Sequence, residues 1–594
     1  MTKNRIILCL MAAVILSACT NSPSVDYITT MENRLSPEEK EMLQAIYEPT
    51  VVGVPLEDAR SGICILPDGE LRAYGRVDQT KENRKGRRSY LSSTDCGLSW
   101  KLHYCDDDIL GSCTYIPEAG FYIRPRNDST GLNMLISKIG PNDTAPRKVH
   151  ICDKSLECFN LPNQSQFSDR IWITGQWKND DGRFVPVFIY TDDLCKSFTV
   201  VELPAIPKFE VVYPHKGMRW DNCGTEPDAC ELSEGRMMMV IRNSLDSFYC
   251  SWSEDGGESW STPEPSPFHG TATTAFLLRL RDGRVLSFWN NTRPLAELDH
   301  TLTRPKVDSD IINGVWEDVF TNRDANHVAI TEDGGRSWLG ARELFLNVLR
   351  NNADYRYVGG VWSSNDKSVH QFQAHELPYG KILVSFGQNI VGRKMVIFDI
   401  NWLYETARKE DFMLGLGKVS TQVYVNDICG STSGNIGNGH CAWNRTSGAL
   451  MCPDPEGSKR DVVGLTHHHD PRLFNDLQGL TWNFPASSKA EVEAELYLNQ
   501  GSKVRLSLAD CWYNPCDENV GEMAQFSTVL SKELEGAFHK VRLAIDGDKT
   551  KVYVDDCFIR ELECKHPVSI GLSYLHIQDL AGEVYIKGIE KKNI

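Results

Sequence analysis

The chain has 594 residues, a hydrophobic content of 41% and a formal net charge of −17 at pH 7. Its length is enough for two or more domains, and its hydrophobic content is ordinary for a globular protein. The acidic balance argues against a nucleic-acid partner, because a protein that binds phosphates along a strand needs a basic surface.

The first residues have the layout of an export signal. Lys3 and Arg5 are followed by an apolar run over residues 6–16, which is too short to span a membrane as a mature helix. The ending Leu-Ser-Ala-Cys at Cys19 resembles the lipobox of bacterial lipoproteins. It implies a lipoprotein signal peptide over residues 1–19, lipid on Cys19, and an exported protein anchored to the bacterial outer membrane, on the periplasmic side or at the cell surface. The alternative is an ordinary secretory signal with an incidental Cys19.

The chain contains 19 cysteines, and 17 remain once Cys9 and Cys19 are set aside. Export would place them in an oxidising compartment, so some disulfides are expected, and an odd number leaves at least one thiol free. The pairs that lie near in sequence are Cys105/Cys113, Cys152/Cys158, Cys223/Cys230 and Cys511/Cys516. No Cys-x-x-Cys pair occurs, and the spacing of histidines and cysteines is not that of zinc ribbons, so no metal or other cofactor is expected.

The elements after the signal change from helical to β. Residues 20–30 are rich in Ser, Thr, Asn and Pro and predict a tether, and residues 31–48 predict a short helix. From about residue 50 the pattern is one of short β-runs joined by glycine turns, as at Asp68-Gly69, Asp282-Gly283 and Tyr379-Gly380. These patterns predict a series of β-hairpins.

One short pattern recurs four times: hydroxyl, x, Asp, x, Gly, x, hydroxyl, aromatic. The weakest copy has Cys195 where the others have Gly. The copies cover residues 93–100, 191–198, 253–260 and 331–338. Asp and Gly suit a tight turn, and the hydroxyl groups can hydrogen-bond to the turn. Because a hairpin repeated at wide spacing is typical of a β-propeller, each copy predicts a hairpin within one blade, and the longest gap between copies is long enough for two blades.

The repeat resembles the Asp-box of sialidases and related bacterial repeat proteins, where these turns lie on the periphery of a propeller. The resemblance implies an all-β protein with a roughly six-bladed sialidase-like propeller over residues 50–410, after a tether and helix over residues 20–49. Residues 411–594 lack the repeat and contain alternating runs that predict an antiparallel β-sandwich. This part resembles the concanavalin-like jelly-roll modules that follow some bacterial propeller glycosidases, which implies either a sugar-binding or a buttressing role.

The sialidase resemblance also implies a site. In that family three arginines clamp the substrate carboxylate, and the matching positions here are Arg60, Arg242 and Arg323. The planar fork of arginine suits this task because it meets a carboxylate with two parallel bonds. Arg60 departs from the family pattern, because Arg-Ser-Gly replaces Arg-Ile-Pro. Arg76 is a further candidate for substrate binding.

The proton-transfer residues implied by the resemblance are Glu226, on a strand before Arg242, and Asp78, in the loop after the first hairpin. The family's tyrosine nucleophile has no match, because Gln371 stands at its position. An amide is not a nucleophile toward an anomeric carbon, and Tyr355 would require a different geometry. His370 is the candidate acid or base there, with His327 and Gln371 as further substrate-binding candidates.

Three functions remain open on this evidence. The first is an exo-acting glycoside hydrolase that removes sialic acid or another acidic sugar from a glycan. The second is a non-sialidase glycosidase or a polysaccharide lyase on the same propeller, which would use His370. The third is a non-catalytic sugar-binding propeller, and the choice among them depends on the site rather than on the fold.

Overall fold

The computed structural model describes residues 26–57, 62–79, 83, 85–211, 219, 221–270, 272–293, 295–296, 317–318, 323, 325–346, 369–388, 392–428, 443–465 and 476–593. Most of this part is β-structure. Within these ranges, none of the helices has the length and apolar character that are needed to cross a bilayer.

Two helices precede the first strand: α1 (Tyr27–Arg34) and α2 (Pro37–Ala45). Asp26 accepts a hydrogen bond from the amide of Thr29 and caps α1, while Ser36 and Glu39 form a reciprocal capping box at the start of α2. The predicted single helix is therefore two, because Leu35 adopts an extended conformation between them.

Six sheets follow along the chain, and each has a run of antiparallel neighbours. Sheet 1 contains β2 (Ile63–Ile65), β3 (Leu71–Val77), β4 (Arg87–Ser93) and β5 (Lys101–Tyr104). Sheet 2 contains β6 (Thr114–Ile116), β7 (Phe121–Asp128), β8 (Gly131–Ser137) and β9 (Arg147–Cys152). Sheet 3 contains β10 (Cys158–Phe159), β11 (Asn163–Gln164), β12 (Ile171–Lys178), β13 (Phe184–Thr191) and β14 (Thr199–Glu202).

The series continues through the middle of the chain. Sheet 4 contains β15 (Thr225–Ser233), β16 (Arg236–Arg242), β17 (Ser247–Ser253) and β18 (Glu264–His269). Sheet 5 contains β19 (Phe276–Arg279), β20 (Val285–Asn290), β23 (Ala325–Thr331) and β24 (Leu339–Leu346), with the pair β21 (Leu295–Ala296) and β22 (Glu317–Asp318) inserted. Sheet 6 contains β25 (Gln373–Leu377), β26 (Lys381–Phe386), β27 (Lys394–Asp399) and β1 (Thr50–Gly53).

Sheet 6 joins the two ends of this region. Its outer strand is β1, which pairs with β27 so that Thr50 lies opposite Ile397. The strand that precedes sheet 1 therefore completes the last sheet of the series. The three glycine-turn hairpins expected from the sequence are present as β2–β3, β19–β20 and β25–β26.

All four copies of the repeated pattern connect the third and fourth strands of a sheet. In the copy at Asp255, the Ser253 hydroxyl donates to the carboxylate, the Ser259 amide and hydroxyl also donate to it, and the Gly257 amide donates to Ser253. The copies at Asp95, Asp193 and Asp333 have the same arrangement. Each turn is thus held by one carboxylate that accepts several bonds.

The long gap between the first two copies contains sheet 2, which has a different turn at the same place. Ser137 donates to Asp143 at 2.7 Å, and the amides of Ile139 and Gly140 donate to the Ser137 hydroxyl. The carboxylate lies six residues after the serine instead of two. The sequence pattern therefore does not detect this turn, although its hydrogen bonds are similar.

Most of the remaining strands form two sheets, one of eight strands and one of four. Sheet 7 contains β28 (Arg408–Glu410), β31 (Leu450–Pro453), β32 (Asp461–Leu465), β34 (Lys489–Leu498), β37 (His539–Asp546), β38 (Lys549–Val554), β39 (Cys557–Glu563) and β41 (Val584–Lys592). Sheet 8 contains β33 (Gln478–Ser487), β35 (Lys503–Ala509), β36 (Phe526–Leu530) and β40 (Leu572–Ala581), with α3 (Val520–Met523) before β36. The strands β29 (Gln422–Ile428) and β30 (Trp443–Ser447) pair separately.

Sheets 7 and 8 share one apolar core. Alternate residues of β34 and β37, such as Val492 and Leu543, are buried together with Trp482 of β33 and Leu506 of β35. Burial of every second residue is what the alternating sequence of these strands predicts, because successive side chains of a strand point to opposite faces.

The described cysteines are all free thiols, so none of the pairs that are near in sequence is bonded in this part of the chain. Cys64 of sheet 1 and Cys113, just before sheet 2, instead contact each other through a hydrogen bond.

Candidate functional site

Four of the expected site residues lie at one end of the first six sheets. Gln371 comes just before the first strand of sheet 6, and Arg242 ends the second strand of sheet 4. Arg323 precedes the third strand of sheet 5, and Asp78 follows the second strand of sheet 1. Since neighbouring strands are antiparallel, these positions share one end, while the repeated turns and the hairpin loops lie at the other.

The central feature of this end is an ion pair between Glu226 and Arg242. The Arg242 guanidinium donates to the Glu226 carboxylate, and both side chains are about nine-tenths buried, at 9% and 10% exposure. The pair forms within one hairpin, because Thr225 of β15 lies opposite Arg242 of β16. A buried pair of this kind fixes the direction of the guanidinium more than it stabilises the fold.

A local break in the strand directs Glu226 into this position. The register of β15 shifts between Thr225 and Asp228, and Glu226 has a φ of 44°, a backbone conformation that glycine usually supplies. Its amide donates to the Gln176 side chain at 2.6 Å, and the thiol of Cys158 lies 3.8 Å from its carboxylate. Contacts with these two residues of sheet 3 therefore fix the position of Glu226.

Gln371 lies beside Glu226. Both residues line one small pocket with Thr274 and Phe372, and Gln371 has a φ of 68°. The enclosed volume is about 10 Å³, which is about enough for one water molecule. The described residues thus form the floor of a site rather than a complete sugar pocket.

Arg323 and His370 approach the same region from sheets 5 and 6. The Arg323 guanidinium donates to the Ala272 carbonyl, two residues from the pocket residue Thr274. The Arg323 carbonyl accepts from the Val369 amide at 2.8 Å, and His370 is 1% exposed. The backbone of residues 369–371 is in this way attached to sheet 5 next to the pocket.

Arg76 and Asp78 lie at the outer part of the same end. Asp78 is exposed and has a φ of 57°. Arg76 forms an ion pair with Asp107 at 2.8 Å, and Lys85 shares that carboxylate. The structure does not bring either side chain into the small pocket with Glu226.

His327 faces a different part of the molecule. Its ring centroid lies 5.6 Å from that of Trp289 and 5.5 Å from that of Tyr574 on β40. It therefore packs between sheet 5 and sheet 8, although it follows Arg323 by only four residues, and this position favours a structural role.

Three sequence candidates fall outside the described residues. They are Arg60, Cys19 and Tyr355. Their roles in the site or the anchor remain predictions.

Sequence reasoning missed Asp228, two residues after Glu226. Its carboxyl accepts from the Leu277 amide of sheet 5 at 2.7 Å and from Asn160, between β10 and β11 of sheet 3, at 2.9 Å. Burial raises the pKa of Asp228 to about 7, although both hydrogen bonds act in the opposite direction. The only sequence signal was an acidic residue inside a strand that is otherwise buried.

A larger cavity of about 260 Å³ lies deeper between the first strands of the sheets. Glu231, Arg279 and His375 line it, as does Tyr27 of α1. Burial lowers the pKa of His375 to about 4, so this side chain is neutral at pH 7. The cavity extends toward α1, and it shares Asn160 and Phe276 with the pocket of Glu226 and Gln371.

Residues 156–370 match the family model described as a BNR repeat-like domain. The match identifies a BNR repeat-like domain in this part of the chain, from just before sheet 3 to just before sheet 6. No curated protein matches it.

Among solved structures, the chain is similar to the Trypanosoma rangeli sialidase, with 11% identity, 92% of each chain covered and a TM-score of 0.34. The same sialidase with 2,3-difluorosialic acid, titled as a covalent intermediate, gives 12% identity, 92% of each chain and a TM-score of 0.34. The NanB sialidase from Streptococcus pneumoniae gives 12% identity, 62% of this chain, 73% of that chain and a TM-score of 0.36. No residue role follows from similarity at this level.

Proposed function

We propose that this protein is an exo-acting glycoside hydrolase of the sialidase-like kind, which removes an acidic sugar such as sialic acid from glycans. The observation that carries the proposal is the buried ion pair between Glu226 and Arg242. A guanidinium held by a buried carboxylate is oriented before the substrate arrives, and it can offer further N–H groups to a substrate carboxylate. Such preorganisation is worth more in a water-poor site than at the surface.

In this proposal the three arginines Arg60, Arg242 and Arg323 bind the acidic group of the sugar. Glu226 positions Arg242, and Asp78 supplies the proton to the leaving oxygen from the outer part of the site. Asp78 is exposed in the described structure, so it would approach the substrate from above the floor formed by Glu226 and Gln371. Arg76 would assist in binding from the same side.

Gln371, at the floor of the site, determines which group can attack the anomeric carbon. Gln371 carries an amide, which does not attack an anomeric carbon, so the attacking group in this proposal is water. His370 is adjacent in sequence and is the proposed base for that water, since imidazole accepts a proton near neutral pH. One displacement by water inverts the anomeric configuration, and this outcome separates the proposal from a covalent route.

A second candidate function is a sugar-binding propeller without catalysis, and Gln371 is the observation that favours it. A polysaccharide lyase that uses His370 against a uronic acid is a variant on the same site. The three functions give different products. The hydrolase releases a free monosaccharide, the lyase gives an unsaturated product that absorbs in the ultraviolet, and the binding protein gives no product.

The architecture in this proposal is a closed propeller over residues 50–410, in which the six sheets are the blades, followed by a β-sandwich over residues 411–594. The pairing of β1 with β27 and the shared core of sheets 7 and 8 support this division. The signal over residues 1–19 and lipid on Cys19 would place the protein at the outer membrane. Metabolic labelling with a fatty acid, lost in Cys19→Ala, tests the anchor.

The activity test uses the full mature chain and a panel of sialylated, uronic-acid and neutral glycans, with products identified by mass and by anomeric form. We expect release of a free acidic monosaccharide. Binding of an acidic glycan without any product would establish the sugar-binding function instead. If no glycan is either bound or cleaved, both functions are wrong.

A further inference from the structure

Two arginines from neighbouring sheets meet at Gly111, away from the pocket of Glu226. Arg88 is on β4 of sheet 1, and Arg124 is on β7 of sheet 2. A Cβ atom placed on Gly111 would lie 2.7 Å from Nη2 of Arg88 and 2.7 Å from Nη1 of Arg124. Nη2 of Arg88 and Nη1 of Arg124 are therefore separated by no more than twice 2.7 Å, and Gly111 lies beside both.

Within the described ranges, neither arginine has a carboxylate at ion-pair distance. Nη1 of Arg124 donates to the Leu110 carbonyl at 2.7 Å, while Nε of Arg88 is buried without an acceptor. The acidic run 106–108 follows β5 nearby, but Asp107 is the member that forms ion pairs, and its partners are Arg76 and Lys85. The positive charge of the Arg88–Arg124 pair is not balanced by this run.

Two half-buried cations that face each other are unfavourable unless an anion joins them. Burial, and after it the charge of Arg88, lowers the pKa of Arg124, with a smaller contribution from Arg126. An oxyanion with two or more oxygens can accept from both guanidinium forks at once, which gives short charge-assisted bonds. A side chain at Gly111 would clash with both guanidinium groups, so the glycine allows the two forks to approach the same point.

The position of the pair connects it to the outer part of the candidate site. Arg88 lies directly opposite Arg76 in the pairing of β3 with β4. It therefore lies at the same end of the sheets as Asp78, and between sheets 1 and 2 rather than beside Glu226.

We propose that Arg88 and Arg124 form an oxyanion-binding subsite between sheets 1 and 2, which takes a carboxylate, sulfate or phosphate group. This goes beyond the proposed function, because the site binds an oxyanion whether or not the protein cleaves a glycan. The oxyanion comes either from an acidic substituent of a glycan that extends from the outer part of the site or from a free inorganic ion.

The test is calorimetric titration of the full mature chain with inorganic phosphate at low ionic strength, where charge-based binding is least screened. We expect saturable binding that weakens by about tenfold or more in Arg88→Met, since each lost charge-assisted contact is worth about 1.5–3 kcal/mol. Arg88→Met is the main variant, because no side-chain hydrogen bond of Arg88 holds the described fold. Arg124→Lys, which keeps the charge but loses the fork, should have an intermediate effect.

The matched control is Arg87→Met, the preceding residue on β4, whose guanidinium lies over the ring of Tyr104 at 3.5 Å. Arg87→Met should leave phosphate binding unchanged, and Arg242→Met should retain the binding that Arg88→Met removes. The proposal is overturned if the unaltered chain shows no saturable phosphate binding, or if Arg88→Met binds as the unaltered chain does. A loss of binding in Arg242→Met alone would also overturn it, by placing the ion in the pocket of Glu226.

The source of the oxyanion is identified with glycans. If it is a glycan substituent, Arg88→Met weakens binding of a sulfated or carboxylated glycan and leaves its neutral counterpart unaffected. If it is a free ion, phosphate binding is lost while both glycans bind as before. Because the phosphate titration requires no turnover, it gives a result even if the proposed hydrolase activity is wrong.

Discussion

Nε2 of His269 on sheet 4 lies 2.8 Å from Oδ2 of Asp510, at the end of β35 in sheet 8. The Asp510 side chain is 1% exposed, its carboxylate also accepts from the Ser569 amide at 3.0 Å, and Nη2 of Arg293 lies 3.9 Å from its second oxygen. Burial alone would raise the pKa of Asp510, but the charge of His269 and its hydrogen bond outweigh burial and hold this pKa well below its usual range. One carboxylate thus joins the repeat region to the C-terminal sheets.

Asp510→Asn is expected to destabilise this junction by about 2–4 kcal/mol at pH 7, because it removes one partner of a buried charged contact. Since the folded pKa is depressed, the carboxylate stabilises the fold fully above about pH 4, near its unfolded pKa, and this contribution is lost as the pH falls toward the folded value. Urea unfolding at pH 7 and pH 3.5 measures both effects. The exposed turn residue Asp548 provides the control, and an equal loss in Asp548→Asn would contradict the assignment.

Arg242→Lys tests the ion pair at the floor of the site. Lysine keeps the positive charge but lacks the planar fork, so we expect kcat/KM on an acidic glycoside to fall by about 100-fold or more, which corresponds to roughly 3 kcal/mol. Glu226→Gln should lower the same quantity by a smaller factor, because Arg242 loses its orientation but keeps its charge. Steady-state kinetics with a fluorogenic aryl sialoside measures both.

Arg236→Lys is the matched control for this substitution. Arg236 begins the strand that Arg242 ends, and it forms a partly exposed ion pair with Glu254 at 3.3 Å. Its replacement should change kcat/KM by less than about twofold, because exposed ion pairs contribute little. Full activity in Arg242→Lys would remove this arginine from the proposed site.

The sequence predicted the features whose partners are close along the chain. The repeated turns depend on bonds between residues two to four apart. Glu226 and Arg242, 16 residues apart on paired strands, were each candidates from the sequence, but the ion pair between them was not predicted. Features with distant partners were missed. The strand β1 closes sheet 6 from more than 300 residues away, and Asp228 takes its bonds from two other sheets.

Strand geometry explains the other differences between sequence and structure. The sequence makes His327 a substrate-binding candidate, and it lies only four residues after Arg323. Along β23, however, its ring is directed to Trp289 and Tyr574 at the boundary with sheet 8. Sheet 2 escaped the repeat pattern because its turn reaches the same hydrogen bonds with a longer spacing between Ser137 and Asp143.

Asp333→Asn tests whether the repeated turns stabilise the fold through their carboxylate. Hydrogen bonds from the hydroxyl and amide of Ser337 lower the pKa of Asp333 to about 2. We expect a loss of about 1–2 kcal/mol at pH 7, because the amide group satisfies fewer of these donors. As the folded pKa is depressed, the difference should shrink when the pH falls from about 4 to 2. Glu234→Gln, in an exposed hairpin turn, should show neither effect in the same unfolding measurement.

Asp228→Asn gives the opposite pH dependence. The folded pKa of Asp228 is raised to about 7 by burial, against an unfolded value of 3.8. Between these values the folded chain holds a proton that the unfolded chain has lost, so the stability of the unaltered protein falls as the pH rises from about 4 to 7, by up to about 4 kcal/mol. Asparagine does not titrate, so the variant lacks this decline.

The amide nitrogen of asparagine would face either the Leu277 amide or the Asn160 side chain, both of which are donors. We therefore expect the free energy of unfolding of Asp228→Asn to be lower than that of the unaltered protein by about 1–3 kcal/mol at pH 5. This difference should shrink toward pH 8. Urea unfolding at several pH values, with the exposed Asp180→Asn as control, measures this trend. If the difference in free energy of unfolding instead grows toward pH 8, Asp228 is ionised in the folded protein. The hydrogen bonds from Leu277 and Asn160 would then stabilise the carboxylate more than burial destabilises it.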